Sequence, residues 1–437
     1  MTGWQEASVD DVKSDAKSAI AIGPFGSRLK SDQYSDSGIP VIRGANLTGG
    51  REFAGQFVFI PDELASSMPG CNVFEGDLVF PHRGAIGEVG IVREGRYFLS
   101  TSLMKLTVDK RRVDPRWLYY FFRSAQGRAE LTLNASQVGT PGIARPLNSL
   151  RSVRLRLPPL HEQRGIADTL DCLNDKIEQN RQTARTLEEL AQRLFKSWFV
   201  DFDPVRAKMA GRQPAHTPPE IADLFPDRLV DSPLGLIPEG WEVAQLGDIA
   251  ENVRDSVKAE EIQSDAIYVG LEHFAAKSLM LAQVGLGEEV TSNKSRFQRG
   301  DLLFGKLRPY FHKISVAHTD GICSTDVLVI RPKTEALKAY SYLGFFQESV
   351  VDYATQRSTG TRMPRANWKT LSEFPVALPP TELQHALDTL VLPMIEIMFM
   401  MVNESETLAQ LRDRLLPKLI SGEIRVPART TETEDAL

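Results

Sequence analysis

Stepping alternately by four and three residues from Ile166 gives Ile166, Leu170, Leu173, Ile177, Asn180, Ala184, Leu187, Ala191, Leu194 and Trp198. Nine of these ten are apolar. Charged and amide side chains fill the gaps, as in TLEELAQRLFKSWF from Thr186. The same steps displaced by 221 residues give Leu387, Val391, Met394, Met398, Met401, Ser405, Leu408, Arg412, Leu415 and Leu419, of which eight are apolar. An apolar period of 3.5 held this long predicts a coiled-coil seam rather than a simple amphipathic face. Leu170, Leu173, Ile177, Leu187 and Leu194 on one helix would face Val391, Met394, Met398, Leu408 and Leu415 on the other. Prolines at Pro158–Pro159 and Pro379–Pro380 mark abrupt helix starts, while Pro393 and Pro417 predict a second helix kinked near both ends. Each helix could pack on its own neighbouring domain. A seam of this length is better served by an equally long partner, and the chain supplies one in its other copy. Asn180, the one polar seam residue of the first helix, either fixes register or is simply solvated.

The repeat extends beyond the helices. FEGDLVF at Phe74 resembles QRGDLLF at Gln298, so that Gly76, Asp77, Leu78 and Phe80 map to Gly300, Asp301, Leu302 and Phe304 at an offset of 224. The same offset carries Ser100–Thr101 to Ser324–Thr325 and Phe121–Phe122 to Phe345–Phe346. The offset then becomes 221, carrying Gly139–Thr140 to Gly360–Thr361, Leu157–Pro159 to Leu378–Pro380, and Gln163 to Gln384. Two constant offsets broken by one short length change describe a duplicated domain with a variable loop. GDLVF, GEVGIV and SLMKLTV in the first copy, and DVLVIRP in the second, predict strands. DPRWLYYFFRS predicts a helix capped by Asp114, its aromatic residues serving as core.

The expected fold is therefore mixed α/β (α+β): two similar globular domains separated by two long helices in an antiparallel coiled coil, with an internal pseudo-two-fold repeat. The boundaries read as a first domain at 1–158, a helical region at 159–203, a proline-rich connector at 204–239, a second domain at 240–379, a second helical region at 380–423 and a flexible acidic tail at 424–437. Helices of about 35 to 40 residues are roughly 50 to 60 Å long. That is about 15 base pairs of DNA at roughly 3.4 Å each.

Charge changes the picture in one respect. The net charge of −6 argues against a generic polyanion binder, yet Arg93–Arg164 is net +9 and Val290–Thr370 net +7, alternating with acidic helical segments. Either these are solvated faces or they contact a polyanion. The loops of the two domains that hold these segments carry groove-reading and phosphate-anchoring residue types. The candidates are Arg43, Asn46, His82, Arg83, Thr140 and Arg145 in the first domain, and His273, Lys306, Arg308, Tyr310, Thr361, Arg362 and Arg365 in the second. The loops differ between copies while their frames persist, as expected if two scaffolds recognise two different half-sites.

No catalytic centre is expected. Gly300–Lys306 fits GxxxxGK, but Leu307 stands where a magnesium-holding Ser or Thr belongs and Pro309 obstructs the helix that should follow. His161 lacks a second histidine four residues on, and the chain has neither an Asn-Pro-Pro-Tyr nor a Glu-x-Lys element. The cysteines Cys71, Cys172 and Cys323 are too scattered for a disulfide framework or a zinc site. The longest apolar run, Met394–Val402, carries Glu396 and is short for a membrane span. With no secretory leader pattern at the start, a cytoplasmic protein with no metal and no membrane contact is expected.

LPPLHEQRGIADTLDCLNDKIEQN from Leu157, SWFVDFDPVRAKMAG from Ser197, PLGLIPEGWEVAQLGDI from Pro233 and the paired GDL frames resemble the specificity subunit of type I restriction-modification systems. The resemblance covers nearly the whole chain. It implies a non-catalytic subunit in which each recognition domain reads half of a split double-stranded DNA sequence, with the coiled coil as ruler. It also implies two methyltransferase subunits docked on the helical regions, and restriction and translocation subunits joined through them. S-adenosylmethionine, ATP and magnesium would belong to those partners and no cofactor to this chain. LPPTELQ from Leu378 departs from the HEQ of the first copy, so partner contact there would differ. The competing expectation is a coiled-coil adaptor that binds proteins, its charge patches incidental.

Overall fold

A computed structural model of the chain describes residues 3–25, 28–133, 135–136, 141–281, 283–360 and 363–426. It divides into two compact units, Met1–Lys176 with Thr407–Leu437, and Ile177–Glu406. Residues 427–437 of the predicted acidic tail lie outside the described residues.

The first unit holds an antiparallel sheet in the order Ile20–Ile22, Leu103–Leu106, Leu78–Pro81, Gly90–Ile91. A second sheet runs Val58–Ile60, Ile39–Ile42, Arg96–Leu99, Asn72–Phe74, with one parallel pairing between its two central strands. The second unit repeats the plan. One sheet is Ala250–Val253, Val327–Pro332, Leu302–Gly305, Ile314–Val316. The other is Gly285–Leu286, Ile267–Val269, Gly321–Cys323, Lys294–Phe297, Ser256–Val257, and it also contains one parallel pair, Ile267–Val269 with Gly321–Cys323. Two helices follow in each unit, Pro115–Arg123 and Ala125–Thr132 in one, Lys338–Phe345 and Glu348–Gln356 in the other. Asp114 caps the first of these by accepting from the Arg116 N–H, and Trp117 to Phe122 are all buried.

The recurring GDL frame has a physical reason. Gly76 and Gly300 adopt φ of 91° and 86°, where a side chain is strained. The next residue folds back: Asp77 accepts the Phe74 N–H at 2.9 Å and Asp301 accepts the Gln298 N–H at 2.7 Å. The recurring LPP–Gln spacing has another. Gln163 and Gln384, both buried, donate to the carbonyls of Pro158 and Pro379, each at 2.8 Å. This lock ties the first turn of each long helix to the strand before it, and those strands pair with Gln5–Ser8 and Glu242–Gln245 respectively.

The long helices span Leu160–Phe199 and Thr381–Ser421. In the first unit Ile166, Ala167 and Leu170 share a core with Leu419 and Ile420, and Arg412 donates to Asn174 at 2.9 Å. In the second unit Ala184 and Ala191 share a core with Leu387, Val391 and Met398, and Asn180 donates to Glu404 at 2.7 Å. The partner number falls as the first rises, so the helices run antiparallel. Asn180 is 2% exposed, which removes the solvated alternative for it. Packing on a neighbouring domain also occurs. Phe195, Trp198 and Phe199 lie in one aromatic cluster with Phe225, Trp241 and Tyr340. The second helix is a single element through Pro393 and Pro417, with exposed prolines at both positions.

One sequence expectation needs correction. By length and composition the second long helix is apolar enough to cross a membrane. Counting uninterrupted apolar residues missed this because Asp388 and Glu396 punctuate it. Its Leu383, Leu387, Val391, Ile395, Met398 and Phe399 are buried in the unit's core, while Ile397 and Met400 are exposed. The connector region carries short elements, a helix at Asp203–Met209 and a hairpin of Leu229–Ser232 with Gly235–Pro238, and it buries Val205, Phe225 and Ile237, with Phe202 buried just before it.

Asp171, 6% exposed on the first long helix, is the electrostatic anchor of the first unit. It accepts from Arg51 at 2.9 Å, Arg93 at 2.8 Å, Arg116 at 3.2 Å and the Tyr120 hydroxyl at 2.6 Å. Burial alone would raise its pKa, but the Tyr120 hydroxyl and the guanidinium groups carry it below the ordinary carboxylate value. Asp171→Ala should cost about 3 kcal/mol in urea unfolding, the low end for breaking a buried pair because Arg93 and Arg116 stay partly solvated. The wild-type contribution is present above the unfolded value near pH 4 and lost as pH falls through the lower folded value. The gap between wild type and variant should therefore close in acid.

Candidate nucleic-acid interface

In each unit one loop leaves the strand of the GDL frame and a second follows the helix pair. The same two backbone hydrogen bonds join them in both. The Gly84 N–H donates to Pro141 O at 3.0 Å and the Ile143 N–H to His82 O at 3.0 Å. In the second unit the Arg308 N–H donates to Pro364 O at 2.8 Å and the Ala366 N–H to Lys306 O at 2.9 Å. The bridges Arg83 to Gly142 and Leu307 to Arg365 fall at equivalent places.

Side chains in this clamp divide into those turned inward and those left outside. His82 sits 3.1 Å from the Thr101 carbonyl, and Lys306 donates to the Thr325 carbonyl at 2.6 Å. Burial lowers the pKa of both. Asn46, 1% exposed, accepts the Arg43 N–H at 2.9 Å and donates to Ala54 O at 2.8 Å. His273 accepts the Gly270 N–H at 3.0 Å in the same manner. Each of these four engages a backbone group of its own loop frame, which orders the loops. Arg43 is half-buried and donates to Gln56 O at 2.8 Å.

Arg83, Arg145, Arg308, Tyr310 and Arg365 are exposed. Arg365 pairs with Asp326 at 2.5 Å. Thr140, Thr361 and Arg362 lie outside the described residues. The linear charge excess is smaller than it looked, because many of its arginines are paired at home. Arg93 and Arg116 face Asp171, Arg96 faces Asp62, and Arg123 and Arg128 face Glu88. Phe311, 44% exposed beside Tyr310, was missed. Two adjacent aromatic residues in a loop without glycine were the available signal. Among the described residues no group of three or more His, Cys, Asp or Glu side chains is placed to hold a metal.

Gly84 and Arg308 occupy the same turn, with φ of 85° and 50°. Glycine adopts this region freely, whereas a side-chain-bearing residue pays roughly 1–2 kcal/mol. The second unit tolerates that strain and so places a guanidinium at the loop tip.

A family profile described as type I restriction modification DNA specificity domain matches residues 23–189 and 238–389. The chain is 26% identical over 375 residues to the type I restriction enzyme HindI specificity subunit of Haemophilus influenzae, covering 75% of this chain and 81% of that one. It is 25% identical over 282 residues to the EcoDI specificity subunit of Escherichia coli, covering 63% and 61%. The fold is similar to that of a type I restriction-modification S subunit from M. genitalium, with a TM-score of 0.59, 15% identity and 96% of each chain covered.

The strained turn generates a comparison between two variants. Arg308→Ala removes the charge and keeps the strain, while Arg308→Gly removes both. The Gly variant should unfold in urea with about 1 kcal/mol more stability than the Ala variant.

Proposed function

The chain belongs to the family of type I restriction-modification DNA specificity domains, and from that premise we propose that its two clamped loop pairs are the surfaces that read DNA. The protein is the non-catalytic specificity subunit of such a system. Each unit reads one half of a bipartite duplex sequence, and the antiparallel helices set the interval between the halves. The observation that carries this reading is the repeated backbone clamp with unlike exposed side chains. Gly84 and Arg145 stand in one copy, Arg308, Tyr310 and Arg365 in the other. One scaffold with two different faces suits a reader of two different half-sites.

The exposed Arg83 and Arg145 are the readers or phosphate anchors of the first unit. Arg308, Tyr310 and Arg365 serve the second, with Thr140, Thr361 and Arg362 as neighbouring candidates. The partners are DNA and the remaining subunits of the complex. We assign the methyltransferase subunits, two of them, to the helical regions, and the restriction subunits to those. S-adenosylmethionine, ATP and magnesium belong to these partners, and the complex works in the cytoplasm.

Arg83→Ala should relax one half of the methylated motif and Arg308→Ala the other, each at about 1–3 kcal/mol if the residue reads a base. If a residue contacts only phosphate, binding should weaken evenly and the salt slope should fall by about one. Sequencing of methylated DNA from cells carrying each variant, with salt-dependent binding of the assembled complex, separates the two. The reading is lost if both halves change together in each variant, or if the assembled complex binds duplex DNA without any sequence preference.

A further inference from the structure

We propose that Tyr310 and Phe311 form an aromatic wedge that unstacks a base step in the half-site read by the second unit, with no counterpart in the first. This rests on the DNA-reading function above and adds a mode of recognition to it. The two rings are 51% and 44% exposed and their centroids are 4.8 Å apart. Isolated exposed apolar residues are ordinary, but two neighbouring aromatic rings at the tip of a loop are a surface in want of a partner.

The loop holds the rings outward. Pro309 and His312 on either side are buried, and the His312 ring lies 4.5 Å from Phe346. The His312 N–H donates to Pro309 O at 2.8 Å, and His312 O accepts the Lys277 N–H at 2.9 Å. Arg308 and His312 both adopt the left-handed conformation, with φ of 50° and 51°. A segment bent at both ends and anchored by buried neighbours cannot fold its rings back into the core. Such pre-organisation reduces the ordering cost when a ligand arrives.

The surroundings select nucleic acid over an apolar protein surface. The Arg308 guanidinium is 5.9 Å from the centre of the Phe311 ring, while Arg365, exposed on the clamped neighbouring loop, is paired with Asp326. A cation beside an open ring face matches a chain of phosphates carrying stackable bases. Apolar side chains driven between base steps kink a duplex, and the kink is tolerated according to its sequence. The wedge would thus contribute to specificity without a hydrogen bond to any base edge. At the equivalent positions the first unit carries Ile86, packed against its own core, and Gly87.

The test uses the full chain assembled with its methyltransferase subunits on a duplex bearing the motif found by methylation mapping. 2-Aminopurine is placed in turn at each position of both half-sites and its fluorescence is read, with nuclease protection measured alongside. Apart from the target base flipped by each methyltransferase subunit, the wild-type complex should give a further signal, at one step of one half-site, that falls at least fivefold in Tyr310→Ala/Phe311→Ala. Protection of the other half-site should persist and affinity should drop about tenfold. Phe311→Trp, which keeps a stacking ring, should retain the signal. The wedge is overturned if wild type and double variant give the same fluorescence profile while both protect the DNA. It is equally overturned if the double variant loses its methyltransferase subunits, which would make the rings a protein contact. Absence of protection by the wild-type complex would remove the DNA-reading function and the wedge with it.

Discussion

Everything in this protein depends on the burial of one apolar stripe along each of two long helices. A solitary helix of about 40 residues with such a stripe would leave its leucines and methionines in water, at roughly 1.5–3 kcal/mol for each large side chain. The stripes are satisfied by each other and by the domain cores. Leu170 meets the end of the second helix beside Trp117 and Leu118, while Val391 and Met398 meet Ala184 and Ala191 beside Tyr340 and Leu343. Polar positions on the stripe are matched as well. Asn180 finds Glu404 and Arg412 finds Asn174, so sliding either helix by one turn would strand a buried amide or a guanidinium. Register is therefore specified by polar pairs and strength by apolar contact.

Each junction between helix and domain repeats the same physics with different residues. Trp4 donates to Glu162 at 2.9 Å, and its ring lies against Gly422 at the end of the second helix. In the second unit Trp241 packs on Phe199 and Phe202 at the end of the first helix. An aromatic residue at the start of each domain thus covers the end of the helix that arrives there. Glu188 serves a related purpose within the second unit. Buried, it accepts the Leu279 N–H at 2.7 Å and the Ser278 hydroxyl at 3.0 Å, tying the helix to the domain by more than contact area.

The repeat, the helices and their pairing were legible in the sequence because each leaves a periodic trace. Offsets of 224 and 221 residues mark elements whose positions are fixed by the Asp77 and Asp301 turns and by the Gln163 and Gln384 locks, none of which tolerates much drift. The site was only partly legible. Asn46, His82, His273 and Lys306 have side chains suited to DNA, and nothing in a string of letters shows that the first, second and fourth meet carbonyls 8 or 19 residues away while His273 accepts an N–H 3 residues back. The charge excess misled for the same reason. Arg93 and Asp171 are 78 residues apart in sequence and 2.8 Å apart in space. What a residue type can do is written in the chain; what it has already been used for is a property of the fold.

The clamp between the paired loops explains why these loops are free to differ. Its bonds join backbone N–H and C=O groups, which every residue but proline carries in full, so they are indifferent to the side chains they present. A loop held by side-chain contacts would lose its shape whenever its sequence changed. A loop held by the Gly84–Pro141 and Arg308–Pro364 type of bond keeps its shape and exchanges its surface. The exchange has limits set by conformation. The turn at Gly84 and Arg308 demands positive φ, so glycine is comfortable there and arginine is strained. A strained arginine next to two exposed aromatic rings is stable only because buried Pro309 and His312 hold the turn from both sides, and the second unit's surface thus depends on anchors that the first unit, with glycine in that place, has no need to build.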